Sequence, residues 1–198
     1  MALERKYKGL LMKPPTNTAL VIIDVQRAID EAFWSQHGPR NNPAAEENMA
    51  AVLKHWRDTK RPVFHIRHDS VNADSTYAPG SVTHAFKPEV IPLSGEVVIG
   101  KAANSAFIDT TLEQTLRGQG IDHVLMMGVI TNNSVEATVR HAGNLGFMTY
   151  LIEDACFTFA FPDYSGTLRS AQEVHDMSLA NMDGEYCQVI DTAQVLEI

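Results

Sequence analysis

Cysteine is scarce in this chain: 198 residues carry only Cys156 and Cys187. Two thiols cannot make the disulfide framework of a small secreted scaffold, so a reducing, cytoplasmic setting is expected. Long apolar runs are missing as well. No stretch approaches the ~20 residues of a membrane helix, and the opening MALERKYKGL is charged rather than signal-like. Positive charge is outnumbered: 16 Lys and Arg face 24 Asp and Glu, a net charge of −8 with histidine neutral. No basic stripe offsets that balance, which argues against nucleic acid as a partner. Repeats, low-complexity tracts and linkers are absent, so residues 1–198 are expected to form one domain. The glycosylation pattern Asn132-Asn133-Ser134 is empty without secretion. What remains is 44% hydrophobic and 20% charged, the balance of an ordinary soluble globule with room for one sizeable core.

Short apolar runs alternate with helix-period segments. Residues 19–25 (ALVIIDV) are β-branched and near-continuously apolar, as a strand buried on both faces should be. Similar runs occupy 62–67, 96–100, 124–127, 148–152 and 186–190. Between them, Asn42-Pro43 opens a helix with Met49, Val52, Leu53 and Trp56 on its stripe. Thr110 and Glu113 read as a capping box for a helix through Leu112 and Leu116. Leu168, Ala171, Val174, His175, Ser178 and Leu179 predict another, and the tail DTAQVLEI a short one. This alternation predicts an α/β fold: a three-layer, doubly wound, Rossmann-like sheet of about six mostly parallel strands with helices on both faces. The loops 27–42, 70–95 and 157–165 remain for ligand binding.

The chain is organised around residues 122–147. An apolar run ends at Gly128, a polar cluster Thr131-Asn132-Asn133-Ser134 follows, and then Val135, Thr138, Val139, Ala142 and Leu145 recur at helical spacing up to Gly146. Ser134 therefore sits at a helix start beyond a strand's carboxyl end, where backbone N–H groups favour developing negative charge. Asp24 is a charge at the end of a buried strand and needs a partner or a task. Cys156, at another strand end, is a rival nucleophile, although free cysteines are most often inert small hydrophobes. His65, His68 and Asp69 raise the possibility of a metal site, but strand-end histidines are more often hydrogen-bonded structural groups. Arg67 or His68 contacting an anionic substrate is the better reading. His175 reads as a satisfied structural histidine. Phe33 and Trp34, and more weakly Tyr77 and Phe86, are candidate pocket walls, with simple loop packing as the alternative.

Several of these residues together resemble the isochorismatase-like cysteine hydrolases. Gly128, Val129, Thr131, Val135 and Thr138 match that family's Gly-Val-x-Thr-x-x-Cys-Val-x-x-Thr run, with Ser134 in the cysteine's place. Asp24-Val25-Gln26 matches its Asp-x-Gln, and Lys101 with Ser105-Ala106-Phe107 matches a lysine followed by Ser-x-Phe. The resemblance covers roughly residues 18–190. It implies a hydrolase of small-molecule amides or related C–N bonds, with Asp24, Lys101 and Ser134 catalytic. It further implies substrate or oxyanion contacts from Gln26, Val129, Ile130, Asn133, Phe33, Trp34 and Phe107, and a cis peptide at Val129-Ile130. No metal or cofactor is implied, since the metal-binding Asp-x-His motif of nicotinamidases is absent. A homo-oligomer, dimer or larger, is expected.

Serine alters the chemistry. A thiol titrates near pH ~8.5 and is held as thiolate by a neighbouring cation, whereas a hydroxyl must lose its proton during attack. Ser134 is thus a slow nucleophile, a hydrogen-bond donor to substrate, or an engineered replacement for a cysteine. Two other readings stay open: a vinyl-ether hydrolase of the isochorismate type, with Asp24 as acid and no covalent step, and a non-catalytic ligand-binding or scaffold protein.

Overall fold

The computed structural model describes residues 14–198. The polar lead-in expected over 1–18 therefore lies mostly outside the described residues. The strand β1 (Ala19–Ile23) is buried along its whole length, as its unbroken apolar sequence requires. It forms the middle of a six-stranded sheet with β2 (Val63–His68), β3 (Val97–Lys101), β4 (His123–Val129), β5 (Met148–Phe157) and β8 (Gln188–Ile190). The order is β3-β2-β1-β4-β5-β8 and every pairing is parallel. This is the doubly wound arrangement anticipated from the alternation, and its direction reverses between β1 and β4.

Right-handed crossovers running in opposite directions put helices on opposite faces. On one face α1 (Ala45–Asp58) packs against α5 (Thr192–Leu196). On the other, α3 (Glu136–Asn144) packs against α4 (Ala171–Met182), with α2 (Leu112–Gly118) linking β3 to β4. The predicted stripe of α1 is buried at Met49, Val52, Leu53 and Trp56. Burying an aliphatic or Phe side chain contributes about 1.5–3 kcal/mol, so this face alone anchors the helix. Trp56 also satisfies its indole N–H by donating to the Thr18 carbonyl at 3.1 Å. Among the described residues no helix is long and apolar enough to cross a membrane.

Several local expectations need correction. Gly128 does not end its strand; β4 continues to Val129. The α1 helix starts at Ala45, so Pro43 precedes it instead of opening it. Thr110 and Glu113 form no capping box: α2 begins after Thr111 without a side-chain cap, and the Thr110 hydroxyl donates to the Ala106 carbonyl at 2.5 Å. Glu113 instead accepts from Arg117, one turn on, at 2.8 Å. Capping boxes do occur at Ser170/Glu173 and Asp191/Gln194, where they start α4 and α5. Leu168 is not on α4. It belongs to an antiparallel hairpin of β6 (Phe161–Pro162) and β7 (Leu168–Arg169).

Gly128 adopts φ +140°, and a Cβ there would lie 2.2 Å from the carbonyl oxygen of Ile23. The clash is with the backbone of β1, which cannot rotate away. Gly128→Ala is therefore expected to destabilise the fold by about 3 kcal/mol or more. A thermal melt checks this; a midpoint within about 2 °C of the parent would contradict the close approach of β1 and β4.

Candidate active site

Four strand ends meet in order along the carboxyl edge of the sheet. Lys101 is the last residue of β3, His68 the last of β2 and registered beside it, Asp24 follows β1, and Ser134 follows β4. Asp24 has φ 56°, a left-handed conformation that Asp tolerates better than most residues. The turn is fixed by the Gln26 N–H, which donates to the Asp24 carbonyl at 2.8 Å. After β4 the chain passes through a cis peptide at Val129-Ile130 and enters a π-helical turn, Thr131–Val135, ahead of α3. Thr138 clamps that turn by donating to the Ser134 carbonyl at 2.7 Å. From the other side, the Ser178 hydroxyl of α4 donates to the Glu136 carboxylate, directly after the turn, at 2.6 Å. His175 shares a 2.8 Å hydrogen bond with the Thr131 hydroxyl, the structural role expected of it.

Lys101 is the hub. Its ammonium donates to Asp24 Oδ2 at 2.7 Å, to the Ala103 carbonyl at 3.0 Å and to Ser134 Oγ at 3.3 Å. His68 Nδ1 lies 3.3 Å from the same Nζ. An ammonium has three N–H groups for these four neighbours, so Ser134 Oγ and His68 Nδ1, the two longest contacts, share the third. Burial holds His68 below its ordinary pKa, with Asp24 pulling the other way, consistent with a neutral ring. Burial also pushes the Asp24 carboxyl above its ordinary value, opposed by the Lys101 charge and the Ser134 hydroxyl. Asp24 Oδ1 is buried and has no hydrogen-bond partner among the described residues.

These groups open onto a cavity of about 110 Å³ lined by Asp24, Ile29, Trp34, His68, Ser75, Tyr77, Asn104, Val129, Ile130, Asn133 and Ser134. A wider depression of about 890 Å³ between the β6–β7 hairpin and α4 contains none of Asp24, Lys101 and Ser134. The chemistry therefore belongs to the smaller space. Ile29, Ser75 and Asn104 were not anticipated, because a lone Ile, Ser or Asn in a loop has no periodic signal.

Other anticipated contacts lie elsewhere. The Gln26 side chain is used up in holding loops: Nε2 donates to the His68 and His84 carbonyls at 3.2 and 2.8 Å, and Oε1 accepts from the His68 N–H at 2.7 Å. Phe107 stacks on Phe147 with ring centres 5.8 Å apart and does not line the cavity. Phe33 is also absent from that lining. Phe86 packs on His65, and Arg67 is paired with Asp69. His65 Nε2 is bound to Glu96 at 2.8 Å. Among the described residues no group of three or more His, Cys, Asp or Glu is placed to hold a metal ion.

The isochorismatase domain family matches residues 18–194, nearly the whole of this architecture. The chain belongs to the isochorismatase family. It is accordingly a hydrolase. The isochorismatase family protein YrdC of Bacillus subtilis is 40% identical over 178 residues, covering 90% of this chain and 94% of that one. The ureidoacrylate amidohydrolase RutB of Variovorax paradoxus is 37% identical over 136 residues, 69% of this chain and 49% of that protein. A solved isochorismatase-family structure from Chromobacterium violaceum has 54% identity and a TM-score of 0.90, covering 94% of this chain and 95% of its own.

As an isochorismatase-family protein without a cysteine at position 134, the chain has its nearest thiol chemistry in Cys156. That thiol is fully buried in the pairing of β4 with β5, and burial pushes its pKa up to about 12. Cys187 is likewise buried and raised. Native protein is expected to take up no iodoacetamide at pH 8 over an hour, and two equivalents after unfolding. Fast labelling of the native chain at Cys156 would restore it as a candidate nucleophile.

Proposed function

We propose that this hydrolase cleaves a small-molecule amide or related C–N bond, with Ser134 as nucleophile, Asp24 as general base and Lys101 as the cation between them. One observation carries the reading: a single buried ammonium touches both the Asp24 carboxylate, at 2.7 Å, and the Ser134 hydroxyl, at 3.3 Å. The amidohydrolase activity in the name of the RutB relative supports the bond class.

In the proposed reaction Ser134 Oγ attacks the carbonyl carbon as Asp24 takes its proton. Lys101 and backbone N–H groups of the turn beside Val129, Ile130 and Asn133 offset the charge that develops. The C–N bond then breaks, and the amine leaves with the proton that Asp24 accepted, giving an acyl-serine ester. Water attacks that ester as Asp24 removes its proton. The acid departs, and Ser134 Oγ regains a proton. Burial helps here, because a carboxylate with a raised pKa is a better base than an exposed one. Lys101 limits that rise while stabilising the anionic states.

The same raised pKa also fits Asp24 as an acid toward a vinyl ether, and variants at position 134 separate the two chemistries. For an amidase, Ser134→Cys is expected to raise kcat/KM on a panel of small amides by about tenfold or more, a gain needing only ~1.4 kcal/mol off the barrier. For a vinyl-ether hydrolase that change leaves activity flat or lower, and Ser134→Gly is tolerated. Asp24→Asn should cost about 10²-fold or more in either case. Amide turnover should rise with pH through the Asp24 pKa, above its ordinary 3.8, since the base must be ionised. Turnover by Asp24→Asn at the parent rate would remove Asp24 from the mechanism.

A further inference from the structure

The cavity holding Asp24 and Ser134 encloses about 110 Å³. At about 10–15 Å³ for each water-sized group, that is room for a carboxamide and a short chain. Ordinary small-molecule sites run from about 300 to 1,000 Å³, so this space alone is small for one. A second chamber of about 330 Å³ adjoins it, and Trp34, Ile130 and Asn133 line both. Farther out, the second chamber is faced by Phe33, His37, Phe159 and Phe161. Phe33 and Phe161 are 63% and 59% exposed, which core packing does not explain.

Trp34 forms the partition. Its ring meets Phe33 and Tyr77 edge-on at 5.4 and 5.9 Å, and leans over Phe159 at 6.5 Å. Its indole N–H is buried and has no acceptor among the described residues. An unpaired buried donor is a standing cost that an arriving acceptor removes. Tryptophan otherwise supplies a rigid apolar wall with one polar handle, suited to the boundary between a polar and an apolar compartment.

We propose that the ligand has two parts: a carboxamide in the inner cavity and an apolar ring in the outer chamber, joined by a short flexible spacer. Trp34 is the specificity residue between them, its indole N–H donating to the carboxamide oxygen at the mouth of the inner cavity. A ring attached directly to the carbonyl is disfavoured, because it would have to share the inner cavity of about 110 Å³ with the carboxamide. The carboxamide rests on the function proposed above; the division into two parts rests on the chambers alone.

Tryptophan fluorescence tests this. The chain has two tryptophans, and Trp56 is sealed in the core, so Trp34 is the responsive one. The protein is titrated with propionamide, benzamide and 3-phenylpropionamide, with calorimetry as a second readout. 3-Phenylpropionamide is expected to quench Trp34 and to bind at least tenfold more tightly than either of the others. Trp34→Phe, which keeps the ring and removes the N–H, should weaken it fivefold or more. Phe161→Ala should narrow its advantage over propionamide to less than threefold. Equal affinities, no binding of any of the three, or an advantage untouched by Phe161→Ala would overturn the proposal. Preferential binding without cleavage, even by Ser134→Cys, would sink the amidase reading and leave the two chambers standing. Cleavage of all three at equal kcat/KM with equal affinity would do the reverse.

Discussion

The candidate site depends on a buried ion pair. Asp24 is 4% and Lys101 2% exposed, and they sit 2.7 Å apart. Taking two such charges out of water costs several kcal/mol each, and their attraction does not reliably recover it. Removing either partner alone would strand the other and cost about 3–5 kcal/mol. An apolar pair of similar volume would serve stability as well. The arrangement makes better sense as a device for holding charge where water is scarce, with Ser134 within hydrogen-bond reach of the same ammonium.

Sheet order makes that pair possible. Lys101 ends β3 and Asp24 follows β1, with β2 between them. Neighbouring strands lie about 4.8 Å apart, so the lysine side chain, the 2.7 Å hydrogen bond and the aspartate side chain together span roughly two strand widths. His68, at the end of the intervening β2, lies beside that path, with Nδ1 3.3 Å from the ammonium. Ser134 then comes from the far side of the reversal point, where open parallel sheets generally bind ligands. Gly128 lets β4 approach β1 closely, and Thr138, Ser178 and His175 pin the turn that presents Ser134.

Much of this was legible in the sequence because burial leaves periodic marks. ALVII, apolar and β-branched, reads as a doubly covered strand, and the stripe from Val135 to Ala142 placed Ser134 at a helix start. Other features left no such mark. Gly128 ends an apolar run in one dimension, but only the neighbouring strand shows that the position needs a missing side chain. Thr110/Glu113 and Ser170/Glu173 have the same capping spacing, and only the second pair closes both bonds of the box; Thr110 accepts from the Leu112 N–H instead. The β6–β7 hairpin has strands of two residues, too short for any period. Cavity residues such as Ile29, Ser75 and Asn104 were invisible, because three separate loops bring them together. Gln26 and Phe107 carried the family pattern faithfully, yet their contacts hold loops and core, and only side-chain geometry reveals that.

The central claim is that the Lys101 ammonium stabilises negative charge at residue 134. It can be measured without knowing the substrate, because the two native thiols are sealed. In a Ser134→Cys variant, the pH dependence of iodoacetamide labelling reports the thiol pKa at that position. The account predicts a value clearly below the ~8.5 of a free cysteine, and a rise when Lys101→Met is added. A thiol that titrates at or above the free value, or one indifferent to the loss of Lys101, would contradict it.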